Sequence, residues 1–494
     1  MKTAVDILRP AMERERARGL NNSAGKVILA TVKGDVHDIG KNIVGIVLAC
    51  NNFEVIDLGV MVSAEEIVDA VVEHRPLMVG LSGLITPSLG EMVNVARALE
   101  RVGDKTPLVV GGATTSLLHT ALKIAPERAN GAVIHSADAG TNAAIAANLA
   151  NPLLRDSFLA ENRRNQLRLV AEHENSMAPT APSLEMCRRG AVTVVNPSPP
   201  PLKPGTTLFE NISLNDIIPL INWRMFFHAW RMTGEFLDNF PYDLCDGCVA
   251  NWEASLTDSI REKATNALSL YRDARRMLAD WSGRFIIRGA VSLLTARRDG
   301  DDIIVDNRVT LPMLRELKND SKSLADWITD DGRDWIGAFA VSAGVDDHDT
   351  DDDYNRVLGQ TICDRLVEAA SEWIHLTTRR LLWGYAADET AAPPEILRGE
   401  FRGIRPAVGY PSLPDQSLAN EISLLLPLDK LQIEITENGA LKPASSELGL
   451  YLAAPEAAYF NIRRLTSEQL EDYAPRRHIP LSRLRLLLAR LVND

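Results

Sequence analysis

The amino-acid sequence predicts two unlike folding units in one chain: an α/β unit with a doubly wound parallel sheet, then a larger α+β unit with a mainly antiparallel sheet. Three observations carry this reading. Short apolar runs alternate with helix-length segments between residues 26 and 150, the pattern of βαβ units. A proline-rich stretch over 175–205 interrupts the alternation. Beyond it, strand runs and one long amphipathic helix occur without regular alternation. At 494 residues and roughly 150 residues per domain, about three domains are expected.

Residues 3–18 carry Val5, Leu8 and Met12 on one helical stripe, and a lone helix of this kind cannot build a core. Strands are expected at 26–32 (KVILATV), 53–59 (FEVIDLG), 77–83 (LMVGLSG), 107–112 (PLVVGG) and 131–135 (GAVIH). Each run is short and bounded by Gly or Pro. Helices are expected between them near 38–50, 63–74, 88–102 and 114–124, and after the last at 138–150. Five such strands suit a flavodoxin-like sheet of order 2-1-3-4-5, whose ligands sit at the C-terminal strand ends. Residues 156–205 read as a charged helix followed by a partly extended linker that lets the flanking units move. In 206–494, strands are expected at 284–296, 301–307, 335–344, 430–436 and 448–463. A helix is expected over 356–383 with Ile362, Leu366, Ala370, Trp373 and Leu381 on one face, after a solvated acidic loop at 348–355. The resulting division is 1–22, 23–155, 156–205 and 206–494.

The formal charge of −13 argues against a nucleic-acid-binding chain and favours small molecules or proteins as partners. Five scattered cysteines, Cys50, Cys187, Cys245, Cys248 and Cys363, are not a disulfide framework and point to a reducing compartment. No apolar run is long enough for a membrane span, and the arginine-rich N-terminus is not a secretory signal. A cytoplasmic protein with no membrane partner is expected.

The most informative stretch is GDVHDIGKN, residues 34–42, directly after the first strand. Asp35 can hold one nitrogen of His37 and raise the donor strength of the other. Asp38 can cap the next helix, and Gly40 leaves its first turn open to a large ligand. Ser82, Gly83 and Leu84, then Thr86 and Ser88, follow the third strand; Gly111, Gly112, Ala113 and Thr114 end the fourth. Small residues at neighbouring strand ends would open a slot for a ligand tail. The plainer alternative is a histidine bonded to a backbone carbonyl beside ordinary glycine turns. In RPAVGY, 405–410, Arg405 could pair with a carboxylate, Gly409 admit backbone contact and Tyr410 stack on a flat ring, or the segment could be a Pro/Gly loop with a surface arginine. Cys245 and Cys248 are spaced for a redox pair or half a zinc site, or are inert thiols.

The run DVHDIG, then SGL, then GG is similar to the DxHxxG…SxL…GG signature of corrinoid-binding domains. The wider sequence from 20 to 494, including LSGLITPSLGEMVNVA, GGATTS, NWRMFFHAW and RPAVGY, resembles the cobalamin-dependent methionine synthase family. The resemblance implies a cobalamin (methylcobalamin) cofactor with His37 as lower axial ligand to cobalt. Asp35 and Ser88 would form a relay behind it. Gly34, Val36, Asp38, Gly40, Ser82, Leu84, Thr86, Gly111, Gly112 and Ala113 would line the cofactor and its nucleotide tail. It also implies a reactivation domain that binds S-adenosyl-L-methionine and methylates cob(I)alamin. There Arg405 would engage the donor's carboxylate and Glu368 its amino group, with Ala407, Gly409, Tyr410 and Tyr459 around the pocket. The family has an aspartate at the position of Asn222, and a tyrosine pair where Tyr459 and Phe460 stand. The resemblance is to the C-terminal half of the enzyme, with 1–22 as the last piece of a helical cap. Homocysteine- and folate-binding modules would then come from elsewhere, and a flavodoxin-like protein would donate electrons. The alternative is a non-enzymatic corrinoid carrier or sensor whose distal domain no longer binds the methyl donor.

Overall fold

The computed structural model describes residues 23–175, 182–281, 283–318, 321–345 and 352–492. The expected helix at 3–18, most of the acidic loop at 348–355 and part of the proline-rich stretch lie outside these residues.

The N-terminal unit is the expected five-stranded parallel sheet in the order β2-β1-β3-β4-β5. Its strands are β1 (Lys26–Thr31), β2 (Glu54–Asp57), β3 (Met78–Ser82), β4 (Leu108–Gly111) and β5 (Val133–His135). Apolar side chains fill both faces because a parallel sheet is covered on both. Val27, Leu29, Met78, Val109 and Ile134 share a core with Leu48 of α1 (Ile39–Cys50) and with Ile145 and Leu149. Ile28, Ala30, Val79, Leu81 and Val110 face the opposite way, onto α2 (Ala64–His74) and α3 (Ser88–Arg101). Ser63 and Glu66 form a reciprocal capping box that starts α2. The expected helix at 114–124 is broken into an α turn, Leu117–His119, and a π turn, Thr120–Ile124.

Among the described residues of the C-terminal unit, the named strands pair antiparallel throughout. The ladder runs β13-β10-β7-β8-β9, with β6 (Gly205–Phe209) also on β7. The spine is β7 (Phe285–Asp299) against β10 (Asp334–Val345); β8 is Asp302–Val305, β9 is Val309–Pro312 and β13 is Ser446–Tyr451, while β11 (Glu434–Ile435) and β12 (Leu441–Lys442) form a separate short pair. Val291, Leu293, Phe339 and Val341 pack against the helical layer, while Ala290, Ala296, Ile336 and Ala338 face the second layer built from 404–492. After α4 (Ala139–Ala150), α5 (Arg155–Asn175) and α6 (Leu184–Arg189), the helical layer contains α7 (Trp223–Ala229), α8 (Asp246–Ser255), α9 (Asp258–Asp280) and α10 (Asp353–Thr377).

Several expectations are corrected. The segment 430–436 is a 3-10 turn and a two-residue strand, because Gln432 takes a left-handed conformation (φ 56°) that breaks extension. The second half of 448–463 is not a strand: Phe460 N donates to Ser412 Oγ and Ile462 N to Pro411 O, so these amides bond a loop instead of a ladder. The long helix ends at Thr377 and continues as a π turn, Thr378–Leu382. That turn shifts the register and leaves Leu381 exposed. The stretch 182–204 does not hang free. Leu184 and Cys187 are buried, Val194 N bonds Asp326 O, and Lys203 N bonds Leu382 O.

The two units meet at the C-terminal edge of the parallel sheet. Thr436 Oγ1 donates to Gly34 O at 2.9 Å and Asn438 Nδ2 to Lys33 O at 3.2 Å. Val36, Ile85 and Ala440 close a small apolar contact beside them.

Candidate functional site

Asp35 and His37 stand on the loop between β1 and α1. Asp35 is fully buried and its two oxygens serve five donors. Oδ1 accepts from His37 N at 3.0 Å and faces His37 Nδ1 at 2.8 Å. Oδ2 accepts from Leu84 N (2.7 Å), Ile85 N (3.3 Å) and Ser88 Oγ (2.6 Å). Burial alone would push this carboxyl up; hydrogen bonds from His37 and Ser88 and the neighbouring imidazole outweigh it and hold it below the usual carboxylate range. A carboxylate can only accept, so Nδ1 carries the proton and the lone pair is left on Nε2. Among the described residues Nε2 has no hydrogen-bond partner, and the His37 side chain is 26% exposed. A Cβ on Gly40 would meet no atom within 4 Å. An oriented imidazole with a free lone pair beside an open helix start fits the metal-ligand role expected of His37.

The other sequence-chosen residues divide. Ser82 and Gly111 are register partners at the ends of β3 and β4. Gly112 (φ 125°) lies so close to Gly83 that a Cβ would sit 2.0 Å from its carbonyl oxygen, so glycine is required for strand-end contact. Leu84, exposed, joins the site through its amide, and Thr86 is half-buried beside it. Ala113 lines a separate cleft of about 230 Å³ with His119, Lys123 and Arg490. The second unit closes over Gly34 and Val36: Asn438 fills the space a side chain would take at Gly34 (φ 76°), and Val36 packs on Ala440. Asp38 stands at the start of α1 without a capping bond; its Oδ1 accepts from Gln360 Nε2 at 3.0 Å instead.

That last bond leads to the second site. On α10, Gln360, Asp364, Glu368 and Glu372 recur every fourth residue and therefore share one face. Asp364 accepts from Ser445 Oγ at 2.7 Å. Burial pushes its carboxyl up, while the hydrogen bond from Ser445 and the charge of Arg365 act against that rise. Glu368 pairs with Arg365 at 2.7 Å, and burial pushes it up too. Glu372 reaches Arg405.

Arg405 lies on an extended segment that bridges β13 through Ile404–Leu452 and Ala407–Gly449. Its guanidinium is held at both ends, NH2 by Glu372 Oε1 at 2.7 Å and NH1 by Glu447 Oε1 at 2.6 Å. Arg405 Nε, Glu372 Oε2 and Glu447 Oε2 are buried without partners. All three residues line a cleft of about 590 Å³ with Asn222, Glu368, Ala407, Tyr410, Tyr459 and Phe460, a size ordinary for small-molecule sites of roughly 300–1,000 Å³. Gly409 (φ 83°) turns the chain where a Cβ would fall 2.2 Å from Gln416 Oε1. Tyr459 accepts from Arg405 N at 2.8 Å. The two departures from the family pattern have local causes. Asn222 Oδ1 caps α7 by accepting from Met225 N at 3.2 Å, a task an asparagine performs as well as an aspartate. The Phe460 ring is buried in the second-layer core, where a hydroxyl would need a partner. Sequence reasoning missed Glu372, Glu447, Asp364 and the amides on Asp35. Only the i, i+4 spacing from Glu368 could have pointed to the first.

Cys245 and Cys248 are not inert thiols: they are joined as a disulfide.

Among the described residues no helix is long and apolar enough to cross a membrane. Residues 25–144 match the family described as B12 binding domain, and residues 213–478, more than half of the chain, match that described as vitamin B12 dependent methionine synthase, activation domain. A solved structure described as the MetH reactivation domain bound to AdoHcy is 27% identical, covers 64% of this chain and 100% of its own, and overlays with a TM-score of 0.55. The methanol:cobalamin methyltransferase complex MtaBC of Methanosarcina barkeri (30% identity, 29% of this chain, 52% of that one, TM-score 0.25) is also similar. So is a cobalamin-binding protein of Desulfitobacterium hafniense DCB-2 (35%, 25%, 58%, TM-score 0.22). Their overlays are too partial to carry an argument. The expected parallel and antiparallel units, the cofactor class and the reactivation role agree with these findings, and the chain belongs to the family of the vitamin B12-dependent methionine synthase activation domain, carried behind a B12-binding domain.

Proposed function

We propose that the chain holds cobalamin on the His37 loop and S-adenosyl-L-methionine in the Arg405 cleft, and serves the reductive remethylation of the cofactor within a cytoplasmic methionine synthase. Bound cobalamin supplies the metal that takes up and passes on a methyl group. The protein's own part is orientation. Asp35 fixes the imidazole so that Nε2 faces outward, Ser88 and the Leu84 and Ile85 amides keep Asp35 charged, and the cleft presents the donor.

One observation carries the donor assignment: among the described residues, the buried unpartnered side-chain atoms of the cleft are one guanidinium N–H and two carboxylate oxygens. That set complements the carboxylate and ammonium of an amino acid. It moves the ammonium contact from Glu368 to Glu372 and Glu447, and leaves Arg405 Nε for the carboxylate. Three carboxylates (Glu368, Glu372, Glu447) against two guanidiniums (Arg365, Arg405) leave the cleft one negative charge in excess, which suits a sulfonium. Methyl transfer onward to homocysteine would use homocysteine- and folate-binding modules and a flavodoxin-like electron donor.

Calorimetric titration of the full chain tests the donor site. S-adenosylmethionine should bind at least about tenfold tighter than its uncharged thioether product at low salt, and Arg405→Ala should abolish both. Equal affinities, or binding unchanged in Arg405→Ala, would refute the assignment. For the cofactor, the absorption spectrum of the cobalamin-loaded chain should lose its histidine-coordinated form in His37→Gly, and an unaltered spectrum would sink the ligand role.

A further inference from the structure

We propose that the Cys245–Cys248 pair is a thiol–disulfide exchange site, with Cys245 as the attacking sulfur, Cys248 as the resolving sulfur and Asp243 as its proton acceptor. Neither site above uses the pair.

The two sulfurs have unlike surroundings. Cys245 is the N-cap of α8, and its Sγ accepts from Cys248 N at 3.0 Å. A helix start and an amide donor both stabilise a thiolate there. The Cys248 sulfur lies 3.3 Å from Asp243 Oδ2. A carboxylate at that distance disfavours a second thiolate and is placed to receive the thiol's proton. Approach is open: Cys245 is at the surface, and a Cβ built on Gly247, between the cysteines, would meet no atom within 4 Å. The surrounding backbone is fastened independently of the sulfur bridge. Tyr271 OH donates to Tyr242 O at 2.8 Å, Trp252 Nε1 donates to Phe236 O at 2.9 Å, and Val249 and Trp252 are buried in the helical core. The bridge can therefore open and close without dismantling the fold around it.

The exchange balances with a low-molecular-weight disulfide of the glutathione class as oxidant. The Cys245 thiolate attacks one sulfur of RSSR, forming a mixed disulfide and releasing RS⁻. Cys248 gives its proton to Asp243, and the resulting thiolate attacks the Cys245 sulfur. The ring closes and a second RS⁻ leaves. Two electrons pass from the protein to RSSR, and the two thiol protons end on two RSH. Excess RSH drives the same steps backwards.

The test uses the full chain, reduced, freed of reductant and treated with limiting iodoacetamide at neutral pH, with site occupancy read by peptide mass spectrometry. Exposed Cys50 is the internal reference, and Cys187 and Cys363 are buried. Cys245 should alkylate about tenfold faster than Cys50. With oxidised glutathione, Cys248→Ser should accumulate a mixed disulfide on Cys245, whereas Cys245→Ser should accumulate far less on Cys248. Asp243→Asn should slow ring closure about tenfold while leaving the first attack unchanged. The proposal is overturned if Cys245 reacts no faster than Cys50 or if the two single variants trap equally. It is also overturned if the reduced chain retains stoichiometric zinc that protects both sulfurs, since Asp243, Cys245 and Cys248 can also gather round a metal ion.

Discussion

Replacing Asp35 tests the central geometry without any cofactor present. In Asp35→Ala, five donors lose their acceptor: two on His37, the Leu84 and Ile85 amides, and the Ser88 hydroxyl. The His37 ring is partly exposed and can turn to water. The Ile85 amide and Ser88 hydroxyl are buried and cannot. At about 1–3 kcal/mol for each buried group left unsatisfied, the N-terminal unit should lose roughly 3–5 kcal/mol. Asp35→Asn keeps the shape and one accepting oxygen but turns an NH2 toward donors, so about half that loss is expected. Because the chain has two units, a single unfolding transition is the wrong readout. Hydrogen exchange followed by mass spectrometry on the peptide spanning 81–89 reports the two amides directly. Exchange there should accelerate about 100-fold in Asp35→Ala, the equivalent of roughly 3 kcal/mol, while peptides from β7 and β10 stay unchanged. Wild-type exchange rates at Leu84 and Ile85 in Asp35→Ala would refute the account of how His37 is held.

Gly409→Ala forces a side chain into a left-handed turn and against Gln416. It should cost about 1–2 kcal/mol from backbone strain alone and abolish donor binding by calorimetry while circular dichroism is retained. Arg315 is buried between Asp301 and Asp326 at 2.6 and 2.7 Å. Arg315→Met should destabilise the C-terminal unit by about 3–5 kcal/mol, because buried Asp326 loses its cation and buried Asp301 keeps only Arg188; denaturant unfolding checks this, and a loss below ~1 kcal/mol would contradict it. His119 is held down to about 4 by burial, with Lys123 adding to the effect. The unfolded imidazole takes a proton near 6.5 and the folded one does not until about 4. Stability is therefore complete above pH ~6.5, falls by up to about 3 kcal/mol as pH drops toward 4, and then levels off. His119→Gln should flatten this slope in thermal melts taken across the window.

Local signals made much of this readable from sequence. The parallel sheet was legible because each strand is a short apolar run with its own punctuation, and the Asp35–His37 pair because the two residues stand two apart just after the first strand; Ser88 joined them only through the family resemblance. What stayed hidden was set by tertiary contact. Nothing local says that Asn438 covers Gly34, that Asp38 bonds Gln360 and not its own helix, or that Glu447 meets Arg405 across forty-two residues. The stretch 457–463 has strand-like composition, yet a serine hydroxyl and a proline carbonyl from another loop claim its amides. The long helix was found and its end misjudged, because a π turn leaves no signature in apolar spacing.

The face of α10 that runs from Gln360 to Glu372 spans twelve residues, about 18 Å at 1.5 Å per residue. One end touches the loop that carries His37 and the other grips the arginine of the cleft. Their separation is thus written in helical pitch and does not depend on loop conformation. One residue inserted midway would swing the far half through about 100° and uncouple the two ends, while each remained chemically intact.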